Sequence, residues 1–347
     1  MVLSKPTIAA SIVGAAAISA YLLYLRRQKC SSKAYWNSEF IEAGEVSQIF
    51  LYPVKSCKPL VVDYIETEKR GIRYGDSHDR QFILVDEAHN YLLQSGRQYP
   101  KMVILENEVK DGFLHLRTPE GKTFSLNIQD VVDRNDVRVA SIFNNEQEGL
   151  DCGDDIGHFF EEYLGTKDNR KLRLLYFTPD LAIKRDLKSD DTFWKNPVPQ
   201  VEDTPMFHDQ SAFNFMNESS VEDLNEKLEE NGLEKVSVQN FRPTFAISGL
   251  KAFEEDRWLQ VKVGEAEFTC YSPCTRCVLT TVNPQTGVMD LTYQPLKTLR
   301  EYRLAPEGKL REKYTQSPVF GVYAVGTKFG KVKVGDKVLV KYKPTPL

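Results

Sequence analysis

Histidine is scarce in this chain. There are five in 347 residues, and His78, His89, His115, His158 and His208 are scattered. Cysteine is nearly as scarce, with six, and no second CxxC or CxxH accompanies the one at Cys274 and Cys277. A structural zinc site takes four such ligands, commonly as two pairs, so it lacks half its ligands here. No GxGxxG follows a strand, and GxxxxGK[ST], HExxH and GxSxG are missing. Nucleotide-dependent, zinc-protease and serine-hydrolase readings therefore find no footing. Long like-charge runs, low-complexity tracts and internal repeats are also lacking. The net charge of −4 and pI near 5.9 show no basic surplus, so nucleic acid is not an expected partner.

Hydrophobic residues make up 41% and charged residues 27%, enough for a sizeable core in two ordinary domains or one large one. Residues 7–25, TIAASIVGAAAISAYLLYL, carry no charge. Nineteen residues form a helix of roughly 28 Å, close to the hydrocarbon thickness of a bilayer. Lys5 precedes the run, while Arg26, Arg27 and Lys29 follow it. A cleaved signal would have a shorter apolar core, with its charge in front. The reading is an uncleaved anchor over 1–30 and a linker over 31–44, with the body of the chain cytosolic by the positive-inside rule. An Ala-rich, moderately hydrophobic anchor with basic flanks suits the mitochondrial outer membrane, with endoplasmic reticulum or peroxisome as second choices. Six cysteines in a chain this long, clustered toward one end, fit a reduced protein better than a disulfide framework.

From Glu45 the chain turns β-rich. Strands are expected over 46–52, 60–65, 81–85, 102–105, 113–116 and 137–140, with a hairpin turn at Asp111-Gly112. A helix is expected over 154–164, stopped by Gly165, then a strand over 172–177. Residues 178–210 read as a long polar connection between two halves. The second half predicts a helix capped by Ser220 and stopped by Gly232, and another begun by Pro295. Strands are expected over 236–238, 245–247, 259–263, 267–271, 319–325 and 331–342, with a turn at Gly335-Asp336. The fold class is α+β with barrel-like sheets, divided into 45–180 and 181–347.

Two groups of residues suggest chemistry. Cys270, Cys274 and Cys277 lie within eight residues, with Arg276 beside the last. Thiolates ligate soft metals, and a neighbouring cation favours the thiolate. A thioredoxin-like redox pair and small buried residues at a strand end remain open alternatives, although 278–282 looks extended rather than helical. The second group consists of Lys55-Ser56, Asp79-Arg80, Asp209-Gln210-Ser211 and Asn240-Phe241-Arg242. Together they offer the guanidinium forks and hydroxyls that a phosphate-bearing cofactor needs.

Tyr52-Pro53-Val54-Lys55-Ser56-Cys57, Asp79-Arg80, Asn240-Phe241-Arg242-Pro243, Arg276-Cys277-Val278-Leu279-Thr280-Thr281 and Ser317-Pro318-Val319-Phe320-Gly321-Val322-Tyr323 occur in the order seen in MOSC-domain proteins. With the N-terminal anchor, the chain resembles the mitochondrial amidoxime-reducing branch of that family from about residue 45 onward. The resemblance implies a β-barrel-like MOSC domain preceded by a β-rich MOSC N-terminal domain and one transmembrane helix. It implies a molybdenum cofactor (Mo-molybdopterin) with Cys277 as metal ligand and catalytic residue. Lys55, Ser56, Arg80, Ser211, Asn240, Arg242, Thr275, Arg276 and Tyr323 fall at cofactor-contact positions. Gln210 stands where relatives often have threonine, and Asp209 is a candidate proton donor. The implied activity is reduction of N-hydroxylated compounds by a monomer, with electrons from NADH through NADH-cytochrome b5 reductase and cytochrome b5. The alternative is a MOSC-type cofactor carrier without such turnover. A cofactor sulfurase would need a further large pyridoxal-phosphate domain, for which 347 residues leave no space.

Overall fold

The computed structural model describes residues 36–143, 145–166, 170–181 and 205–343. The anchor expected over 7–25 lies outside them, as do Cys30 and most of the polar connection. Among the described residues no helix is long and apolar enough to cross a membrane.

The larger barrel is built from β1 (Ile41–Leu51), β2 (Phe213–Asn217), β3 (Phe245–Ser248), β4 (Trp258–Val263), β5 (Ala266–Thr275), β6 (Val319–Lys328) and β7 (Lys337–Tyr342). Their order around the sheet is β3-β2-β6-β5-β4-β7-β1, and a β1–β3 pairing closes it. β2 and β3 run parallel, and the other neighbours are antiparallel. Alternation along β1 explains its place. Ile49 and Leu51 enter the barrel core with Phe213, Phe215, Phe245, Trp258 and Phe268. Phe50 and Tyr52 face the other way, into a layer with Leu224, Leu228 and Leu299 from two covering helices.

The smaller barrel has the order Val137–Ile142, Asn145–Asp151, Leu172–Tyr176, Phe82–Asp86 and Leu92–Gln94, and is closed by a parallel pairing of its end strands. Phe82–Asp86 is buried throughout. Phe82 and Leu84 pack with the helix Asp154–Leu164, while Ile83 and Val85 pack with Phe177 and Phe207 on the opposite side. β1 therefore opens the first half of the sequence but belongs to the barrel of the second. It then delivers residues 52–57 to the smaller barrel, where Val54 bridges Phe82.

Several expected elements change. Residues 102–105 lie in and just after a 3-10 helix, Pro100–Ile104, rather than a strand, because Pro100 starts a helical turn. Residues 236–237 are loop rather than strand, and Val238 opens the 3-10 helix Val238–Phe241. Asn217, not Ser220, caps the helix Glu218–Glu230 by accepting from Ser219 N at 2.9 Å. Ser220 instead donates to Glu255 from inside the first turn. Residues 278–281 form a 3-10 turn rather than extended chain.

Candidate active-site cleft

Backbone pairing brings distant segments to one place. Lys55 N donates to Phe82 O at 2.9 Å, Arg80 N to Tyr52 O at 2.7 Å and Phe207 N to Arg80 O at 3.1 Å. Segments around 55, 80 and 207 thereby run side by side. From the larger barrel, β5 and β6 contribute Thr275 and Tyr323, and Arg276 N donates to Pro318 O at 2.8 Å. Three register shifts interrupt the β5–β6 pairing on the way to Thr275, the device by which strands re-aim side chains near sites.

The result is a solvent-open cleft, whose roughly 810 Å³ of empty space runs out into open solvent. Most residues singled out from the sequence line it: Lys55, Ser56, Arg80, Asp209, Gln210, Ser211, Asn240, Arg242, Thr275, Arg276, Cys277 and Tyr323, whereas Asp79, Cys270 and Cys274 do not. Sequence reasoning missed Ser95, Arg97, Phe143, His208, Asn214 and Thr244, which also line it. The lining carries five cations (Lys55, Arg80, Arg97, Arg242, Arg276) against one carboxylate, Asp209. A chain of net charge −4 has concentrated positive charge at one spot, which is what an anionic ligand requires.

The cations are held deliberately. The guanidinium carbons of Arg80 and Arg242 stand 4.3 and 4.2 Å from the centre of the buried Tyr52 ring. Each contact is worth on the order of 1–2 kcal/mol when desolvated, which offsets their mutual repulsion. Burial opposes the Arg80 charge, but Asp79, which it touches, outweighs that and raises its pKa. Asp79 in turn accepts from Tyr52 N at 2.8 Å and contacts His208 Nε2 at 2.9 Å. Burial pushes the His208 pKa down to about 4, despite Asp79. Arg242 donates to Cys57 O at 2.8 Å, and burial makes it less basic than an ordinary arginine. Ser56, Arg80, Phe143 and Arg242 all have left-handed backbone, with φ between 47° and 71°. Such strain in non-glycine residues gathers at functional sites.

Arg276 donates to Phe320 O at 2.6 Å and Phe241 O at 2.7 Å, while its Nη2 is buried without a partner. An unspent donor on a buried guanidinium in this lining fits an anionic group placed in the cleft. Gly321 makes room for it, since a Cβ there would stand 2.8 Å from Nη2. Among the described residues no three His, Cys, Asp or Glu side chains group to hold a metal by themselves. The arrangement suits a metal that brings its own ligands and takes one sulfur from the protein.

Cys277 is the part-exposed member of five free described cysteines, whereas Cys57, Cys152, Cys270 and Cys274 are buried. Burial raises the thiol pKa of all four, to about 12 for Cys57 and Cys270. Asn214 Nδ2 lies 3.6 Å from Cys274 Sγ. Asn240 lines the cleft but spends both amide donors on Thr280 O and Val282 O, at 3.2 and 3.3 Å, so it braces the Cys277 loop. Enclosure works against the charge of Asp209, yet Lys55 and Arg97 hold it well below the usual carboxylate range. That charge state runs against its use as a proton donor at neutral pH.

A model of the MOSC N-terminal beta barrel domain matches residues 43–167, and one of the MOSC domain matches residues 202–339. "Mitochondrial amidoxime reducing component 2" of Bos taurus is 34% identical over 86% of this chain and 83% of its own length. "Mitochondrial amidoxime-reducing component 1" of Homo sapiens has the same identity and coverage. The Xenopus laevis relative of that name is 31% identical over 96% of this chain and 91% of its own. A chain with both MOSC modules in order, and this likeness over most of its length, belongs to the family of the mitochondrial amidoxime-reducing components.

Proposed function

We propose that this chain is a molybdenum-cofactor-dependent reductase of N-hydroxylated compounds: amidoximes, hydroxylamines and N-oxides. The observation that carries the reading is the convergence of Cys277 with five cations in one cleft, in a family whose members are named for amidoxime reduction. When bound, the molybdenum cofactor supplies the two-electron chemistry that removes oxygen from nitrogen. The protein's residues hold and orient. Arg80, Arg242 and Arg276 supply charge for an anionic tail, and Ser56, Ser211 and Thr275 supply hydroxyls beside it. Cys277 offers its sulfur to the metal. Lys55 donates to Phe207 O at 2.5 Å and pairs with Asp209, fixing the wall opposite.

In this reading electrons arrive from NADH through NADH-cytochrome b5 reductase and cytochrome b5. The family resemblance supports that route. Residues 7–25 anchor the chain in the mitochondrial outer membrane with its catalytic part in the cytosol, and the relatives' names support the organelle. Holding donor and acceptor on one surface raises their effective concentration.

The test uses the full chain, purified in detergent from a host that makes the cofactor. Molybdenum per chain is measured by mass spectrometry, and benzamidoxime reduction is assayed with cytochrome b5, its reductase and NADH. Near-stoichiometric metal with turnover is the expected result. Metal without turnover would favour a cofactor carrier. A folded, cofactor-exposed protein without molybdenum would overturn the reading.

A further inference from the structure

Arg97 belongs to no recognised motif, and it comes from the smaller barrel, on the turn that follows the strand Leu92–Gln94. The turn is fixed locally. Ser95 O accepts from Gln98 N and Tyr99 N, both at 3.0 Å, and Ser95 Oγ accepts from Arg97 N at 3.3 Å. Gly96 lets the turn sit directly on the loop that follows Cys277, since a Cβ there would stand 2.7 Å from Leu279 Cδ1. The smaller barrel thus reaches across and places a guanidinium beside the sulfur carried by the larger one.

That guanidinium is backed by the Phe143 ring, 4.9 Å from its centre, and its side chain stays 28% exposed in the cleft lining. Nη2 makes a loose ion pair with Asp209 Oδ2 at 3.5 Å, and Nε is buried without a hydrogen-bond partner. A guanidinium has five donors in a rigid fork and stays charged at any working pH. Here it has donors left over. The other guanidinia face the anionic tail of the cofactor reading: Arg80 and Arg242 stand over Tyr52, and Arg276, tied to two carbonyls, has only its buried Nη2 left over.

We infer that Arg97 is a substrate-positioning residue, which donates to the oxygen of an N–OH or N–O group on the Cys277 side of the cleft. The inference rests on the reductase reading. Asp209 orients the fork, and Phe143 keeps it from swinging into solvent. The ligand class is a small molecule with a polar oxygen on nitrogen, not the cofactor itself.

The test compares full-length wild type, Arg97→Gln and Arg97→Lys, each loaded with cofactor. Three quantities are read: molybdenum per chain, the Kd of benzamidoxime for the oxidised protein without any electron donor, and kcat against KM. Arg97→Gln should keep its molybdenum, bind benzamidoxime roughly tenfold more weakly as a charge-assisted hydrogen bond is lost, and show KM rising in step. Arg97→Lys should fall between the two. Unchanged Kd and KM in a fully loaded Arg97→Gln protein would overturn the inference. Loss of molybdenum from that variant would overturn it too, because the residue would then hold the metal group. Should Arg97→Gln fail to fold, Arg97→Lys decides: weaker binding at full metal content supports the role, and wild-type binding refutes it. A wild-type chain without metal or turnover fails before any variant is made, and sinks the functional reading and this inference together.

Discussion

Cys277 differs from the other described cysteines in one respect that chemistry can use: its sulfur opens on the cleft while theirs are buried. Cys277→Ser should abolish benzamidoxime reduction while moving the melting temperature by no more than about 3 °C, since no core packing is lost. Turnover at the wild-type rate would remove Cys277 from the metal. His208 gives a second residue-scale expectation. Its pKa falls from 6.5 to about 4 in the folded protein. Below pH 6.5 the unfolded chain takes up a proton that the folded one refuses until near pH 4. The stability it contributes is therefore present above that window and is lost as pH falls through it, by roughly 2 kcal/mol between pH 7.5 and pH 5. Urea unfolding at the two pH values should show the slope, and His208→Gln should flatten it. An equal slope in the variant would point to other groups. Neither His208 nor Arg97 was legible in the sequence. Each sits on a loop outside any motif, and only the fold reveals what surrounds it. Lys55, Arg80, Arg242 and Cys277 were legible because the segments carrying them are distinctive as strings.

At the scale of elements, alternation located most strands and periodicity located the long helices, but short apolar runs misled. The stretch 102–105 has strand-like composition, yet Pro100 starts a 3-10 turn, a case periodicity cannot decide over so few residues. The Val-Leu-Thr-Thr run after Cys277 looks extended by composition. In the fold, Thr280 and Thr281 hydroxyls donate back to the Cys277 and Val278 carbonyls at 2.9 and 2.8 Å and hold a tight turn. That turn presents the Cys277 sulfur. Gly321 shows how much one strand position can control. With φ of 88°, it admits Arg276 where any Cβ would also meet Phe215 O at 2.8 Å. Gly321→Ala should cost about 1–3 kcal/mol in urea unfolding and lower molybdenum retention by displacing the guanidinium. Full stability together with full metal content would show that the strand relaxes around the methyl group.

For the molecule as a whole, the division into two halves at about residue 180 follows the sequence but not the packing, because β1 belongs to the second barrel. Sequence could pose that question through Lys55, whose role would require it to approach Cys277, but only the pairings of β1 with β3 and β7 answer it. A fragment starting at residue 202 would lack β1, leaving two unpaired edges and uncovering the core that Val46, Ile49 and Leu51 fill. It should show no cooperative thermal transition by circular dichroism. Adding a peptide of residues 40–52 in trans should recover part of one. A cooperative melt without the peptide would mean the barrel closes by another route.

Pairing the first strand with the last also orders events in time. Ile41 faces Val340, so the larger barrel cannot close until β7 has left the ribosome. Through synthesis β1 waits unpaired, with Val46, Ile49, Phe50 and Leu51 uncovered. The cleft needs both barrels in place, so any cofactor would have to be loaded after β7 has been made, into a protein already tethered if residues 7–25 have engaged their membrane. A nascent chain stalled before β7 should then accumulate without molybdenum however much cofactor the cell supplies.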